Sequence, residues 1–513
     1  MSTNNKLADL QNRRASIEEG GGKEKTAKQH DAGKLTARER INLLFDEGSF
    51  IELDAFAGAR PTAFAGELDA PCDGVICGYG TVDLRPVFAY AQDFTVLGGS
   101  VGEIHGKKIA KVIDMAMKTG APVVGMLDSG GARIQEGTDA LEGMGLIMRK
   151  TALASGVVPQ IAAVMGPCAG GAAAAATLSD FVFMTREVSS LYMSGPSVIK
   201  GTTGEEIDTK ALGGAEANAE LSGNCQVVCE DDASLIAAVK GLLSYLPSNN
   251  LEDAPLVETD DINRMSAALN TLIPDDDAAG YDVRVAIKEI ADGGILYEIL
   301  PSYAKNMVTA FARLNGATVG FVANQAAEGG ALDSLAAQKA TRFVRFCDCF
   351  NLPIITLTDT EGYKASIAEE QSGLARKMAA LAYAYAEATV PKINVILRKA
   401  YGSAYIAMGS KHIGADMTYA WPTAQVAVMQ AEGAASIIYR KEMQKAEDPI
   451  SARAEFVESF KETFASPFEA AKHGYVDDII EPDSTRPRII AALLMLAGKR
   501  EVLPAKKHGT MPL

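Results

Sequence analysis

The run VPQIAAVMGPCAGGA, residues 158–172, is repeated as VPKINVILRKAYGSA, residues 390–404. In both copies a proline precedes a short apolar segment that ends in small residues. Gly170-Gly171-Ala172 in the first copy aligns with Gly402-Ser403-Ala404 in the second. An apolar segment of this length between Pro and Gly is typical of a buried β-strand, and the small residues let a helix begin close to its end. The repeat therefore predicts two copies of one strand-turn-helix unit.

Two further matches stand in the same order along the chain. Asp46 to Leu53 resembles Asp292 to Ile299, and Pro122 to Gly130 resembles Pro353 to Glu361. The offset changes between these matches, which predicts an insertion in the first copy within residues 55–72. Two unrelated α/β domains that share common strand and turn residues are the alternative, but matches in register favour an internal duplication.

The segments between these matches alternate between strand and helix patterns. Strands are predicted at 86–91, 122–127, 160–165 and 181–184, and Ile109 to Met117 has apolar residues at helical spacing. The acidic segment between Pro247 and Asp277 has three prolines and little apolar periodicity. We therefore predict an α/β protein with a first domain over 1–250, a linker over 251–277 and a second domain over 278–513.

Composition excludes several classes of function. The 513 residues carry 49 Lys and Arg against 65 Asp and Glu, a net charge of −16, which disfavours nucleic acid as a partner. The seven cysteines form no paired C-x-x-C motif, so neither a disulfide framework nor a metal site is predicted. No apolar run is long enough to span a membrane and no signal peptide is recognisable, so a cytoplasmic protein is expected.

Two short motifs resemble known functional sites. Gly98 to Gly102 matches the G-x-S-x-G pattern of serine hydrolases, but the five histidines offer no evident catalytic partner. The sequence Met115-Ala116-Met117-Lys118 resembles a biotin-attachment site. Lys118 falls late in an amphipathic helix, however, whereas a biotinylated lysine needs an exposed hairpin. We expect neither motif to carry its usual function.

The repeated turn itself offers backbone chemistry. The N–H groups in the first turn of a helix have no partner within the helix and can stabilise an oxyanion. The candidate donors are Gly170, Gly171 and Ala172 in the first copy and Ser403 and Ala404 in the second. Close packing of small residues is the alternative explanation for either turn. Two copies of the same turn favour two oxyanion sites.

Several longer motifs resemble the biotin-dependent acyl-CoA carboxyltransferase family, which includes propionyl-CoA carboxylase β subunits, the transcarboxylase large subunit and methylmalonyl-CoA decarboxylase α subunits. The resemblance extends from about residue 27 to the end of the chain. The motifs are DSGGARIQEG (128–137), GPCAGG (166–171), RFVRFCD (342–348), AEATVPK (386–392), YAWP (419–422) and KKHG (506–509).

The resemblance implies a fold and two sites. The fold is two tandem crotonase-like (ClpP/crotonase) domains. The first domain would bind acyl-CoA through Ala169, Gly130 and Gly131, with Tyr405 and Ile406 of the second domain as further substrate-binding residues. The catalytic residues would be Gly170, Gly171 and Ala172 in the first domain and Ser403 and Ala404 in the second. The second domain of a neighbouring subunit would bind biotin through Gly362, Gly402, Ser403 and Ala404.

The resemblance also implies cofactors and partners. Biotin would be carried in trans on a biotin carboxyl carrier protein, and a coenzyme A thioester would be the substrate, with methylmalonyl-CoA or propionyl-CoA favoured. A homohexamer is expected, together with an ATP-dependent biotin carboxylase or a membrane decarboxylase subunit, which would make the protein peripheral to a membrane complex. The direction of transfer stays open.

Three positions depart from the family pattern. The loop from Asp359 to Ala365 lacks two prolines that the family has there, Ser403 replaces a glycine, and Asn218 replaces a histidine. These changes are compatible with an altered acyl substrate or with a chain that has lost transfer activity. A biotin-independent hydratase or hydrolase of the crotonase type and a scaffold subunit of a decarboxylase complex are the remaining alternatives.

Overall fold

Each half of the chain folds around its own β-sheet. The computed structural model describes residues 2–62, 70–258, 260–443, 445–446 and 448–512, so part of the predicted insertion, 63–69, lies outside the described residues. The chain divides into two units, Met1–Asp253 and Ala254–Leu513. Each unit is an α/β structure, as predicted.

The first unit has a sheet of eight strands in which the first three pair antiparallel and the others parallel. The strands are β1 Ile51–Leu53, β2 Val75–Val82, β3 Arg85–Gln92, β4 Val123–Ser129, β5 Gln160–Ala169, β6 Phe181–Thr185, β7 Ser190–Tyr192 and β8 Val227–Cys229. The helices are α1 Thr3–Glu18, α2 Lys23–Asp31, α3 Ala37–Leu44, α4 Glu103–Thr119, α5 Thr138–Ala154, α6 Gly171–Thr177, α7 Pro196–Thr203, α8 Thr209–Gly213, α9 Ala215–Ala217 and α10 Asp232–Tyr245.

The second unit repeats this sheet. Its strands are β9 Leu296–Ile299, β10 Met307–Leu314, β11 Ala317–Asn324, β12 Ile354–Thr360, β13 Lys392–Tyr401, β14 Met417–Ala420, β15 Gln425–Ala427 and β16 Asp478–Ile479. Its helices are α11 Val283–Ile290, α12 Ser334–Cys349, α13 Ile367–Gln371, α14 Leu374–Glu387, α15 Gly402–Ala407, α16 Ala431–Ile438, α17 Arg440–Met443, α18 Pro449–Phe464, α19 Pro467–Lys472 and α20 Thr485–Leu496.

The two sheets have the same strand order, which confirms the duplication. The first runs β1-β2-β3-β4-β5-β6-β8 with β7 on the end of β5, and the second runs β9-β10-β11-β12-β13-β14-β16 with β15 on the end of β13. The four strands predicted in the first half are all present. An isolated bridge between Val101 and Ala132 is also repeated, between Leu332 and Tyr363.

Helices close both sheets by burying one apolar face. Helix α4 places Ile109, Val112 and Ile113 in the core of the first unit, as its spacing predicts, and ends at Gly120 in the left-handed conformation. Gly106 lets α4 approach α5, because a Cβ there would lie 2.4 Å from the backbone of Gly143. The core of the second unit centres on Phe321, Leu357 and Trp421.

The acidic segment 251–277 forms no strand over its described residues. Val257 donates its N–H to the carbonyl of Gly316, and Ser266 donates its N–H to the carbonyl of Asp483. A 3₁₀ turn follows at Ala267–Thr271. From Ala254 onward this segment therefore packs within the second unit. Within the described part of the chain, no helix has the length and apolar character needed to cross a membrane.

Candidate functional sites at the repeated turns

The first turn lies where β5 passes into α6. Gly170 has φ 60° and ψ −127°, a conformation that favours glycine, and its N–H donates to the carbonyl of Tyr192 at 3.0 Å. The first bond of the helix runs from Ala174 N–H to the Gly170 carbonyl. The N–H groups of Gly171, Ala172 and Ala173 therefore have no acceptor within the helix.

The loop after β4 lies beside this turn. Gly131 has φ 101°, and a Cβ built on it would lie 3.5 Å from the carbonyl oxygen of Ala169. The Gly131 carbonyl accepts from Val101 N–H, and Val101 in turn accepts from Arg133 N–H. The structure thus brings Gly130, Gly131 and Ala169 to the same edge of the sheet, at the carboxyl ends of β4 and β5.

A buried carboxylate at the end of β4 anchors that loop. Asp128 is fully buried and accepts from Lys34 Nζ, Gln29 Nε2 and Arg40 Nη1, each at 3.0 Å. Arg40 also donates to Asp232 at 2.7 Å. Burial raises the pKa of Asp232, and the Arg40 guanidinium opposes that shift. Two carboxylates and two cations compensate one another, as buried charges require.

Gly171 serves helix packing as well as the turn. A Cβ at this position would lie 2.7 Å from Met144 Cγ of α5. The missing side chain therefore makes room for Met144, so close packing explains a small residue at this position. Gly170, by contrast, has no atom closer than 3.9 Å to a built Cβ.

The second turn opens into a cavity. Strand β13 passes into α15 at Gly402, whose φ is 63° and whose built Cβ would lie 3.1 Å from the Val428 carbonyl. The cavity has a volume of about 390 Å³. Its walls are formed by Glu361, Gly362, Tyr363, Tyr401, Gly402, Ser403, Ala404, Val428, Met429, Gln430 and Gly433. The predicted residues Gly362, Gly402, Ser403 and Ala404 are therefore brought together here.

The loop from Asp359 to Ala365, which departs from the family pattern, forms one wall of this cavity. Gly362 has φ 121°, its carbonyl accepts from Leu332 N–H, and Lys364 N–H donates to the Leu332 carbonyl. Lys399 Nζ contacts Glu361 Oε1 at 2.6 Å. Beneath the loop, Asp359 accepts from Arg398 Nε at 3.1 Å and from Lys399 N–H at 3.0 Å. Burial raises the pKa of Asp359, and Arg398 opposes that shift.

Two predicted substrate-binding residues lie elsewhere on α15. Tyr405 is buried in an apolar cluster with Ile396 and Val476, and its ring meets His412 edge-on. Ile406 is exposed. Neither residue lines the cavity at Ser403 and Ala404.

The residues of the two short motifs, and Asn218, make contacts that account for them without catalysis or biotin attachment. Ser100 Oγ accepts from Arg133 Nε at 3.3 Å. Burial lowers the pKa of His105 to about 3, so this imidazole is neutral at physiological pH. Lys118 lies in the last turn of α4 and pairs with Asp114 at 2.6 Å. Asn218 is buried, and its Nδ2 donates to the carbonyls of Leu191, Gly213 and Gly214.

Three groups of residues contribute to the sites without a signal in the sequence. Lys34 and Arg40 come from the polar N-terminal segment, where nothing in the pattern points to Asp128. Val428, Met429 and Gln430 reach the cavity from the segment before α16. The sequence marks Glu361 only as part of a loop that departs from the family pattern, whereas the structure pairs it with Lys399.

Two tandem sheets, each with a strand that turns at a positive-φ glycine into a short helix, define an acyl-CoA enzyme fold of the crotonase type. The family model described as "Carboxyl transferase domain" matches residues 28–511, and the chain belongs to that family. It is an acyl-CoA carboxyltransferase.

Similar proteins cover the whole chain. The methylmalonyl-CoA decarboxylase subunit alpha of Propionigenium modestum is 49% identical over 511 residues, 99% of each chain. The carboxyltransferase subunit of propionyl-CoA carboxylase from Haloferax mediterranei is 48% identical over 516 residues, 100% of each chain. The crystal structure of transcarboxylase 12S, a hexamer with methylmalonyl-coenzyme A and methylmalonic acid bound, superposes with a TM-score of 0.98 at 47% identity, covering 100% of this chain and 99% of that one. These relatives support carboxyl transfer and not the hydratase, hydrolase or scaffold alternatives.

Proposed function

We propose that this chain moves a carboxyl group between biotin on a partner protein and the α-carbon of a short acyl-CoA, methylmalonyl-CoA or propionyl-CoA. The observation that carries the proposal is the duplicated turn: each unit has one strand-to-helix turn beside one loop anchored by a buried aspartate. The names of the similar proteins supply the acyl group. The domains would divide the work, with acyl-CoA bound by 1–250 and biotin by 278–513, and with 251–277 joining them along the chain.

In the first unit the chain would hold the thioester. The N–H groups of Gly171 and Ala172 would donate to the acyl oxygen, with Gly170 supplying the turn and Ala169, Gly130 and Gly131 the adjoining wall. The α-carbon must become an enolate during transfer, and its oxygen then carries negative charge. Each backbone donor aimed at that oxygen contributes about 10²–10³ in rate.

In the second unit the cavity fits the ureido ring of biotin. Its volume of about 390 Å³ lies within the usual range of small-molecule sites, and it combines apolar walls at Val428 and Met429 with polar groups at Ser403 and Ala404. Bound biotin would supply the nitrogen that carries the carboxyl group and takes up the α-proton. The N–H groups of Ser403 and Ala404 would hold the ureido oxygen, with Gly362 and Gly402 shaping the turn.

This chemistry needs no side-chain base on the chain. His105 is buried and neutral, and Ser100 is held by Arg133. A hydrolase would need a positioned base, and neither of these two side chains supplies one, whereas transfer to and from biotin needs none.

Biotin is proposed to arrive in trans on a biotin carboxyl carrier protein. The only Ala-Met-Lys sequence ends at Lys118, in a helix and paired with Asp114. A homohexamer is proposed because the similar transcarboxylase 12S assembles as one. Its acyl site would be completed by Ile406 of a neighbouring subunit, whereas the buried Tyr405 would support that helix from within its own unit. The hexamer would work in the cytoplasm, in a complex with a biotin carboxylase or with a membrane decarboxylase subunit.

A transfer assay tests the proposal directly. The purified chain is mixed with methylmalonyl-CoA labelled in its free carboxyl carbon and with a biotinylated carrier domain. Label should move to the carrier, and avidin should block the movement. A carrier that lacks biotin is the matched control. Binding of acyl-CoA without any transfer of label would contradict the proposal.

A further inference from the structure

The cavity of the second unit contains one ionised group on its wall. Glu361 is the acidic side chain among the described residues that line it, and Lys399 lies behind it on β13. The Lys399 side chain is 11% exposed and the Glu361 side chain 42% exposed, with Nζ and Oε1 2.6 Å apart. A carboxylate in the cavity wall is thus paired with a cation that lies behind that wall.

The backbone around Glu361 is fixed on both sides. The Gly362 carbonyl accepts from Leu332 N–H at 2.9 Å, and Lys399 N–H donates to Asp359 at 3.0 Å. Gly362 N–H also donates to Thr360 Oγ1. Because the loop and the strand are both anchored, the backbone that carries Glu361 is fixed beside the cavity that Ser403 and Ala404 also line.

The geometry points to Glu361 as the acceptor for a ureido N–H, an inference that rests on the proposed function. A cyclic urea presents one carbonyl acceptor flanked by two nitrogen atoms, so a complementary site needs N–H donors and an acceptor side by side. Ser403 and Ala404 supply the donors, and Glu361 supplies the acceptor. The nitrogen that carries the carboxyl group has no N–H, so the other ureido nitrogen is the donor.

Lys399 is assigned as the positioning residue for Glu361. Its ammonium makes the pair neutral as a whole, so the carboxylate does not repel the carboxyl group that is transferred nearby. It also fixes one carboxylate oxygen and leaves the other for the ligand. A hydrogen bond to an ionised acceptor is stronger than one to a neutral acceptor, which makes Glu361 a specificity residue.

Binding of three ligands, measured by calorimetry or by ligand-observed NMR, tests the inference. The ligands are biotin, biotin methylated on the nitrogen that takes the carboxyl group, and biotin methylated on the other nitrogen. The wild-type chain should bind the first two alike and the third about 10-fold more weakly. Glu361→Ala should bind biotin about 10-fold more weakly and should lose the discrimination between the two methylated ligands.

Matched variants separate the role from a folding defect. Glu361→Gln keeps an acceptor oxygen and should retain the discrimination, as should Lys399→Arg, whereas Lys399→Met should lose it. Glu187→Ala breaks a surface ion pair with Lys210 in the first unit and should behave as wild type. All variants should bind acyl-CoA as before.

The outcomes distinguish this inference from the proposed function. If the wild-type chain binds none of the three ligands, the biotin site itself is wrong and the inference fails with it. If the wild-type chain binds all three alike, or if Glu361→Ala still discriminates, the biotin site stands and the role of Glu361 is overturned.

Discussion

Asp128 and Asp359 occupy the same place in the two units, yet their surroundings differ. Asp128 is held by side chains from Gln29, Lys34 and Arg40, which all lie in the N-terminal segment. Asp359 is held by Arg398 and by a backbone N–H on its own neighbouring strand. The first carboxylate is thus secured by a distant segment, and the second by the strand beside it.

Each aspartate carbonyl is approached closely by a glycine, and this feature is the same in the two units. A Cβ on Gly99 would lie 2.1 Å from the Asp128 carbonyl, and a Cβ on Gly330 would lie 2.7 Å from the Asp359 carbonyl. Duplication has therefore kept the backbone of the site while its side-chain supports have diverged. The site is specified by backbone approach, and the supports set how strongly each copy is held.

The largest expected effect comes from removing the supports. Arg40→Met leaves Asp128 and Asp232 without their shared guanidinium, so the free energy of unfolding of the first unit should fall by about 3–5 kcal/mol. Arg398→Met removes the cation from one carboxylate only, that of Asp359. The free energy of unfolding of the second unit should therefore fall by roughly half as much. Circular dichroism follows the unfolding of both units, and Trp421 fluorescence follows the second unit alone, since the sequence has one tryptophan. A transition seen by circular dichroism but not by Trp421 fluorescence therefore belongs to the first unit. Equal losses for both variants would remove the distinction between the two anchors.

Removing one backbone donor from each turn tests whether the two copies do different work. Ala404→Pro deletes an N–H in the second unit, so the biotin half-reaction should fall about 10²–10³-fold while acyl-CoA binding persists. Ala172→Pro, at the equivalent position, should impair the acyl-CoA half-reaction instead. Both variants are checked first by thermal melting. Loss of acyl-CoA binding in Ala404→Pro would contradict the proposed division.

Packing around the turns should also separate the copies. Gly171→Ala pushes against Met144 and should lower the free energy of unfolding by about 1–3 kcal/mol. Ser403→Ala keeps its N–H at an exposed position and should change stability by less than about 0.5 kcal/mol, with transfer retained. Urea unfolding and the transfer assay measure both. A large loss of transfer in Ser403→Ala would assign a role to its hydroxyl.

A change in substrate preference alone is expected at Ile406, which aligns in sequence with Ala174 of the first copy. If Ile406 lines the acyl pocket of a neighbouring subunit, Ile406→Ala should shift the preference among acetyl-, propionyl- and butyryl-CoA by about 1 kcal/mol. Competition between the three substrates measures the ratio, and Leu494→Ala, at another exposed apolar position, is the control. An unchanged ratio would remove Ile406 from the acyl site.

The sequence alone predicts the strands, the duplication and the two turns, because apolar periodicity and glycine placement act over short distances. Gly402, Ser403 and Ala404 line one cavity as the turn predicts. What the sequence does not reveal depends on contacts between distant residues. Nothing near Arg40 indicates a carboxylate 88 residues away, and Val428 and Met429 reach the cavity only because β15 pairs with the end of β13.

The bond between Arg40 and Asp232 has a consequence for synthesis of the chain. These residues are 192 positions apart. The Arg40 guanidinium therefore cannot bind Asp232 until nearly the whole first unit has been translated. At about 5–20 residues per second, that wait lasts about 10–40 s. During this interval the N-terminal helices cannot reach their final packing. The first unit should therefore close in one late, cooperative step that depends on its last helix.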